Sequence, residues 1–96
     1  MKQKRHKNLN SFAKSLGLDP ARAAEAEVKA KLTNALIKEM DRQGFTHQEV
    51  ADMAGVSRTT VTGIVNGSLQ RVTVDRLLKI LGAIGLSVEV KVKRSA

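Results

Sequence analysis

The stretch that most constrains this chain is Thr46–Gly67, which reads Thr-His-Gln-Glu-Val-Ala-Asp-Met-Ala-Gly-Val-Ser-Arg-Thr-Thr-Val-Thr-Gly-Ile-Val-Asn-Gly. It divides at Gly55-Val56-Ser57 into two short helices. Thr46 stands where a hydroxyl accepts from an unpaired N–H of a first helical turn. Glu49, three residues on, completes a capping box. Val50, Ala51 and Ala54 have the spacing of one buried face. Gly55 is the left-handed residue that ends the first helix, and Val56 is the apolar plug of the turn. Ser57 caps the second helix, with Val61, Ile64 and Val65 inward and Gly67 closing it. Arg58, Thr59 and Thr62 are left outward on its first half.

A short, polar-faced helix laid across a supporting one is the helix-turn-helix arrangement, in which the second helix enters the DNA major groove. The plainer alternative is a helical hairpin buried in another bundle. The outward Arg-Thr-Thr-x-Thr face offers little apolar area for such burial. The frame Ala51…Gly55-Val56-Ser57…Val61…Asn66-Gly67 resembles the Cro/cI-type (XRE) repressors, and the resemblance extends through Thr73–Leu86 as the following helix. It implies a mainly α, lambda-repressor-like small helical bundle. Where that family often carries Gln after the capping Thr, this chain has His47, with Gln48 next.

Roles follow from placement. Arg58 and Thr59 are expected at base edges, and an arginine fork suits guanine O6 and N7. Thr62 lies one turn on and meets a base edge or a thymine methyl. Gly63 has no side chain and permits close approach. Thr46, His47, Gln48 and Ser57 are expected at phosphates, which position a protein without reading sequence. The resemblance implies the same for Asn66.

Charge points the same way. Lys and Arg number 17 against 9 Asp and Glu, a net +8 over 96 residues. Such a surplus favours a polyanion, chiefly through counterion release from phosphates, although charge alone also fits a merely soluble basic protein. The chain has no cysteine, and its two histidines, His6 and His47, lie far apart. Neither a disulfide nor a metal site is expected, and no cofactor. The aromatics are Phe12 and Phe45 alone, too few for stacking on single strands. No apolar run approaches a membrane span, and the basic start Met1–Lys7 leads into no apolar stretch of a secretion signal. The expected location is the cytoplasm. No Ser/His/Asp spacing, phosphate loop or metal cluster suggests an enzyme.

Three regions are expected along the chain. Residues 1–9 are a basic tail, either a solubilising end or an arm on the DNA backbone. Residues 10–85 form the helical DNA-binding domain. Within it, Asn10 or Ser11 caps a short turn through Phe12, Leu16 and Leu18. Asp19-Pro20 starts a long, alanine-rich helix to about Gln43. Val28, Leu32, Ala35, Leu36 and Met40 mark its buried stripe. Glu25–Lys29 and Glu27–Lys31 are favourable pairs one turn apart. Thr73 caps a last helix to about Ala83 with Leu77, Leu78, Leu81 and Ile84 inward. Residues 86–96 are a dimerisation strand and tail. Leu86, Val88, Val90 and Val92 alternate with Ser87, Glu89 and Lys91. A lone strand leaves both edges unpaired. Antiparallel pairing with a second copy about a two-fold axis satisfies one of them. A register with Val90 opposite Val90 sets each Glu89 against the other copy's Lys91. The apolar face is expected to cover Leu81 and Ile84. The alternative is a tail docked on its own helices.

The layout also resembles the HigA-type antitoxins: Ser11–Leu18, an Ala/Glu-rich helix, the helix-turn-helix, and Leu86–Val92 as a terminal strand. That resemblance implies two tasks, masking a small HigB/RelE-like ribonuclease toxin and repressing the shared operon as a homodimer on an inverted-repeat operator. Phe12, Leu16 and Leu18 are the candidates for toxin contact, with packing on this chain's own first long helix as the alternative for Phe12. A solitary XRE-type regulator, including the phage type, shares the same core.

Overall fold

The computed structural model describes residues 19–94. The expected basic tail, the capped turn after it, and Phe12, Leu16 and Leu18 lie outside the described residues. Four helices follow in order: α1 Pro20–Gln43, α2 His47–Ala54, α3 Arg58–Val65 and α4 Val74–Ala83.

Each helix starts on a side-chain cap that is legible in its own residues. The Asp19 carboxylate accepts from the Ala21 N–H at 3.0 Å, and Pro20 costs the first turn nothing because its missing N–H would lack a helical partner anyway. The Thr46 hydroxyl accepts from the Glu49 N–H at 3.0 Å, while Glu49 accepts from the Thr46 N–H at 2.8 Å. Ser57 and Thr73 accept from the N–H groups of Thr60 and Arg76, both at 3.0 Å. A lost cap of this kind costs about 1 kcal/mol. α1 and α2 stop on left-handed glycines, Gly44 at φ 72° and Gly55 at φ 71°, where a side chain would be strained.

One core joins the four helices. Leu36, Val50, Ala51, Val61, Ile64 and Leu77 are fully buried, with Ile80, Leu81, Ile84, Leu32 and Met40 around them. α1 packs against α4 and α3, and α2 against α3 and α4. α2 is therefore backed by α4, and α3 by α1. Phe45, Val56, Leu69 and Leu86 close the rim. Each fully buried Leu or Ile contributes about 1.5–3 kcal/mol.

Two expected core positions are corrected. Val28 is 43% exposed, and Lys29 is buried in its place. The α1 stripe runs through 29, 32, 33, 36, 39 and 40, one residue out of phase at its start. A lysine fills such a place by laying its stem along apolar surface. Leu78 is 39% exposed, and Ile80 takes the core position. The stripe 77, 80, 81, 84 is the regular three-and-four spacing. Two buried polar groups of α1 behave differently. The Glu39 carboxylate accepts from Arg42 at 2.7 Å and Gln43 at 2.9 Å, and these bonds hold it below its ordinary range. The Thr33 hydroxyl has no hydrogen-bond partner among the described residues, an arrangement that costs about 1–3 kcal/mol.

The C-terminal segment differs from expectation. Residues 86–94 form no strand within the single chain. Leu86 packs on the core and its N–H donates to the Leu81 carbonyl at 2.9 Å. Beyond it exposure climbs from 40% at Val88 to 91% at Val92. The alternating face therefore does not cover Leu81 and Ile84 past its first residue. The physical reason is the missing neighbour: a strand is made by its ladder, and the described part of this chain supplies no second edge.

Candidate nucleic-acid interface

The site is built on the angle between α2 and α3. Gly55, Val56 and Ser57 connect them, and the Val56 N–H donates to the Ala51 carbonyl at 3.0 Å. Val61 and Ile64 anchor α3 by one side. The opposite side of α3 then carries Arg58 and Thr59 at the surface, with Thr60, Thr62 and Gly63 half-buried behind them. Arg58 makes no ion pair or side-chain hydrogen bond among the described residues, so its guanidinium fork is available for an acceptor pair such as guanine O6 and N7.

The expected phosphate contacts separate into two groups. The Thr46 and Ser57 hydroxyls are committed as helix caps. Ser57 Oγ also lies 2.8 Å from Thr60 Oγ1, which fixes the first turn of α3. Gln48 Nε2 donates to Asp52 Oδ1 at 2.8 Å along α2. Asn66 is exposed at the end of α3. His47 and Thr62, expected to act apart, are brought together: His47 Nδ1 lies 2.8 Å from Thr62 Oγ1.

Three further residues join the surface. Thr59, Thr60, Gly63, Ser68, Arg71 and Arg76 line one shallow concavity of about 390 Å³ beside α3. Ser68 and Arg71 come from the loop that follows α3, and Arg76 from the first turn of α4. Two guanidinium groups beside this hollow form an anion-attracting surface. The sequence holds a signal for it: Arg71-Val-Thr-Val-Asp-Arg76 sets two arginines on either side of the Thr73 cap. Among the described residues there is no group of three or more His, Cys, Asp and Glu side chains able to hold a metal. No described helix is long and apolar enough to cross a membrane.

This geometry can be set beside known proteins. A family model described as "Helix-turn-helix domain" matches residues 13–93. The chain belongs to the helix-turn-helix domain family. A solved structure described as a putative XRE family transcriptional regulator is 27% identical, with a TM-score of 0.69, over 77% of this chain and 83% of that one. No curated protein matches. The helix-turn-helix match and the structural likeness support a DNA-binding domain of the XRE type. The α2–α3 pair is its helix-turn-helix motif.

Proposed function

We propose that this helix-turn-helix protein is a sequence-specific transcriptional repressor that acts in the cytoplasm as a homodimer on an inverted-repeat operator. The observation that carries the reading is the outward face of α3, where Arg58, in no ion pair among the described residues, and an exposed Thr59 stand on a helix anchored by Val61 and Ile64. Arg58, Thr59 and Thr62 read base edges, while Asn66, His47, Gln48 and the Thr46 and Ser57 helix starts face the backbone. The net charge of +8 supplies sequence-independent attraction to phosphates. Gel-shift titration at fixed salt tests this directly. Arg58→Ala is expected to weaken operator binding far more than random-DNA binding; equal loss on both moves Arg58 to the backbone class and removes the base-reading role.

The same reading extends to a partner. We infer that the chain is the antitoxin of a HigB/RelE-like ribonuclease toxin, met by Phe12, Leu16, Leu18 and the outward side of Ala21–Lys31. The support is the exposed, small-residue first half of α1, where Ala21, Ala26 and Val28 lie open. Pull-down from the native host followed by mass identification tests it. Recovery of a small basic ribonuclease supports the antitoxin role; recovery of the DNA-binding protein alone makes it a solitary regulator.

A further inference from the structure

We propose that His47 is a positioning residue for base reading: through its bond to Thr62 it fixes the hydrogen-bonding polarity of the Thr62 hydroxyl, and so the base preferred opposite it. The inference rests on the DNA-reading role proposed above for α3.

The two side chains come from different helices, fifteen residues apart, and both are half-buried. His47 is the first residue of α2, and Thr62 lies in the outward half of α3. At 2.8 Å between Nδ1 and Oγ1 one proton lies between them. A threonine hydroxyl has one proton and two lone pairs, and a neutral imidazole Nδ1 either accepts or donates. Two arrangements follow. When Nδ1 accepts, the Thr62 hydroxyl donates its O–H to the ring and presents lone pairs only. Outward it then suits an exocyclic amino group, on adenine or cytosine. When Nδ1 carries a proton, it donates to Oγ1, and the Thr62 proton turns outward. It then suits an acceptor, guanine O6 or N7, thymine O4 or adenine N7. Protonation of the ring leaves only the second arrangement.

The neighbouring charges leave this exchange to the pair. On α2, Glu49 is engaged by the Thr46 N–H and Asp52 by Gln48. Arg58 opens α3, and α4 behind brings Asp75, Arg76 and Lys79, of which Asp75 and Lys79 pair with each other at 3.7 Å. Among the described residues His47 forms no ion pair. A protonated His47 also adds one positive charge, but that strengthens binding to every sequence alike. The polarity of Thr62 changes the ratio between sequences. The ratio is therefore the readout that a purely electrostatic or structural role of His47 leaves still.

The test uses the full chain and two measurements. Imidazole nitrogen shifts of His47 are recorded by NMR in the free wild-type protein and in Thr62→Val, which keeps the shape and loses the hydroxyl. Operator duplexes that differ only at the base pair whose discrimination Thr62→Val abolishes are then titrated between about pH 5.5 and 8. Thr62→Val is expected to change the His47 tautomer balance. The wild-type preference for cytosine, which offers only its N4 amino group, over guanine and thymine is expected to shift about tenfold towards the latter as pH falls. His47→Gln is expected to bind the operator with a ratio that does not move with pH. A wild-type ratio that is flat with pH, or one equally pH-dependent in His47→Gln, overturns the proposal. So does a His47 tautomer unaffected by Thr62→Val. If the NMR coupling is present while all duplexes bind alike, the failure lies in base reading by α3, and the proposal falls with it.

Discussion

The ammonium group of Lys29 donates to the backbone carbonyl of Leu69, 3.1 Å away, and so ties the middle of α1 to the loop that leaves α3. The stem of Lys29 is buried and its head also lies 3.6 Å from Glu25, one turn earlier. The loop it holds carries Ser68 and Arg71, both at the edge of the hollow beside α3. Lys29→Met keeps most of the buried stem and removes the donor. The expected result is a folded protein about 1 kcal/mol less stable, in line with the loss of one hydrogen bond. Amide exchange is expected to quicken across residues 68–72. Unchanged exchange there in Lys29→Met shows that the bond does not restrain the loop.

Arg71 and Arg76 should behave unlike Arg58. Their position beside the hollow, away from the exposed tip of α3, suits phosphates. Arg71→Ala and Arg76→Ala are each expected to weaken operator and random DNA by similar factors. Each is also expected to lower the slope of log affinity against log salt by about one. Titrations at several salt concentrations check this. A variant that changes base preference with its salt slope intact places that arginine on a base edge instead.

Much of this surface is legible in the amino-acid sequence, because its determinants are local. Thr46, Ser57 and Thr73 each cap the helix that their own neighbours build, and Gly55 ends α2 by a backbone property of glycine. What is less legible depends on contacts between distant residues. The start of the α1 stripe is ambiguous because alanines surround Val28 and Lys29, and the acceptors that favour burial of the lysine include the Leu69 carbonyl, forty residues on. Leu78 and Ile80 are equally apolar, so the phase of α4 is settled by what α1 and α2 present to it. His47 and Thr62 are ordinary polar residues when read apart, and their pairing needs the angle between α2 and α3. The C-terminal alternation is a true property of residues 86–92, but an alternating pattern describes a face and not a partner.

The end of α1 carries a pH dependence whose sign is fixed by Glu39. Its carboxylate is held below the ordinary value of 4.5 by the hydrogen bonds from Arg42 first and Gln43 second. A carboxylate with a lowered folded-state pKa contributes stability that is fully present above its unfolded value. That contribution is lost as pH falls through the folded value. Thermal melts of the wild type and Glu39→Gln are expected to differ at pH near 7, the variant being less stable. The gap is expected to close as pH drops below 4.5. A gap that stays constant down to the acid limit shows that the Glu39 bonds contribute nothing that depends on its charge.

A second copy of the chain is expected to cover the C-terminal segment. Val88, Val90 and Val92 project from a chain whose own described elements leave them open, and their exposure rises with distance from Leu86. The alternation with Ser87, Glu89 and Lys91 gives the segment one apolar face and one polar face. Paired antiparallel with a second copy, each segment gains a ladder of backbone hydrogen bonds, and the two apolar faces meet the helix surface together. A two-stranded ribbon alone is marginal, so the packing beneath it supplies most of the stability. Symmetry then links this segment to operator form, since two recognition helices about a two-fold axis meet successive major grooves about 34 Å apart. Truncation after Leu86 keeps the residue that plugs the core and removes the exposed valines. Light scattering is expected to give a dimer for the intact chain and a monomer for the truncated one. The truncated chain is expected to retain its melting transition and to bind a single half-site weakly. Equal dimeric mass in both shows that the seam lies elsewhere. A Glu89→Lys variant that keeps the wild-type dimer mass argues against the Val90-centred register, because there the substituted ammonium group faces Lys91 of the other copy and like charges meet.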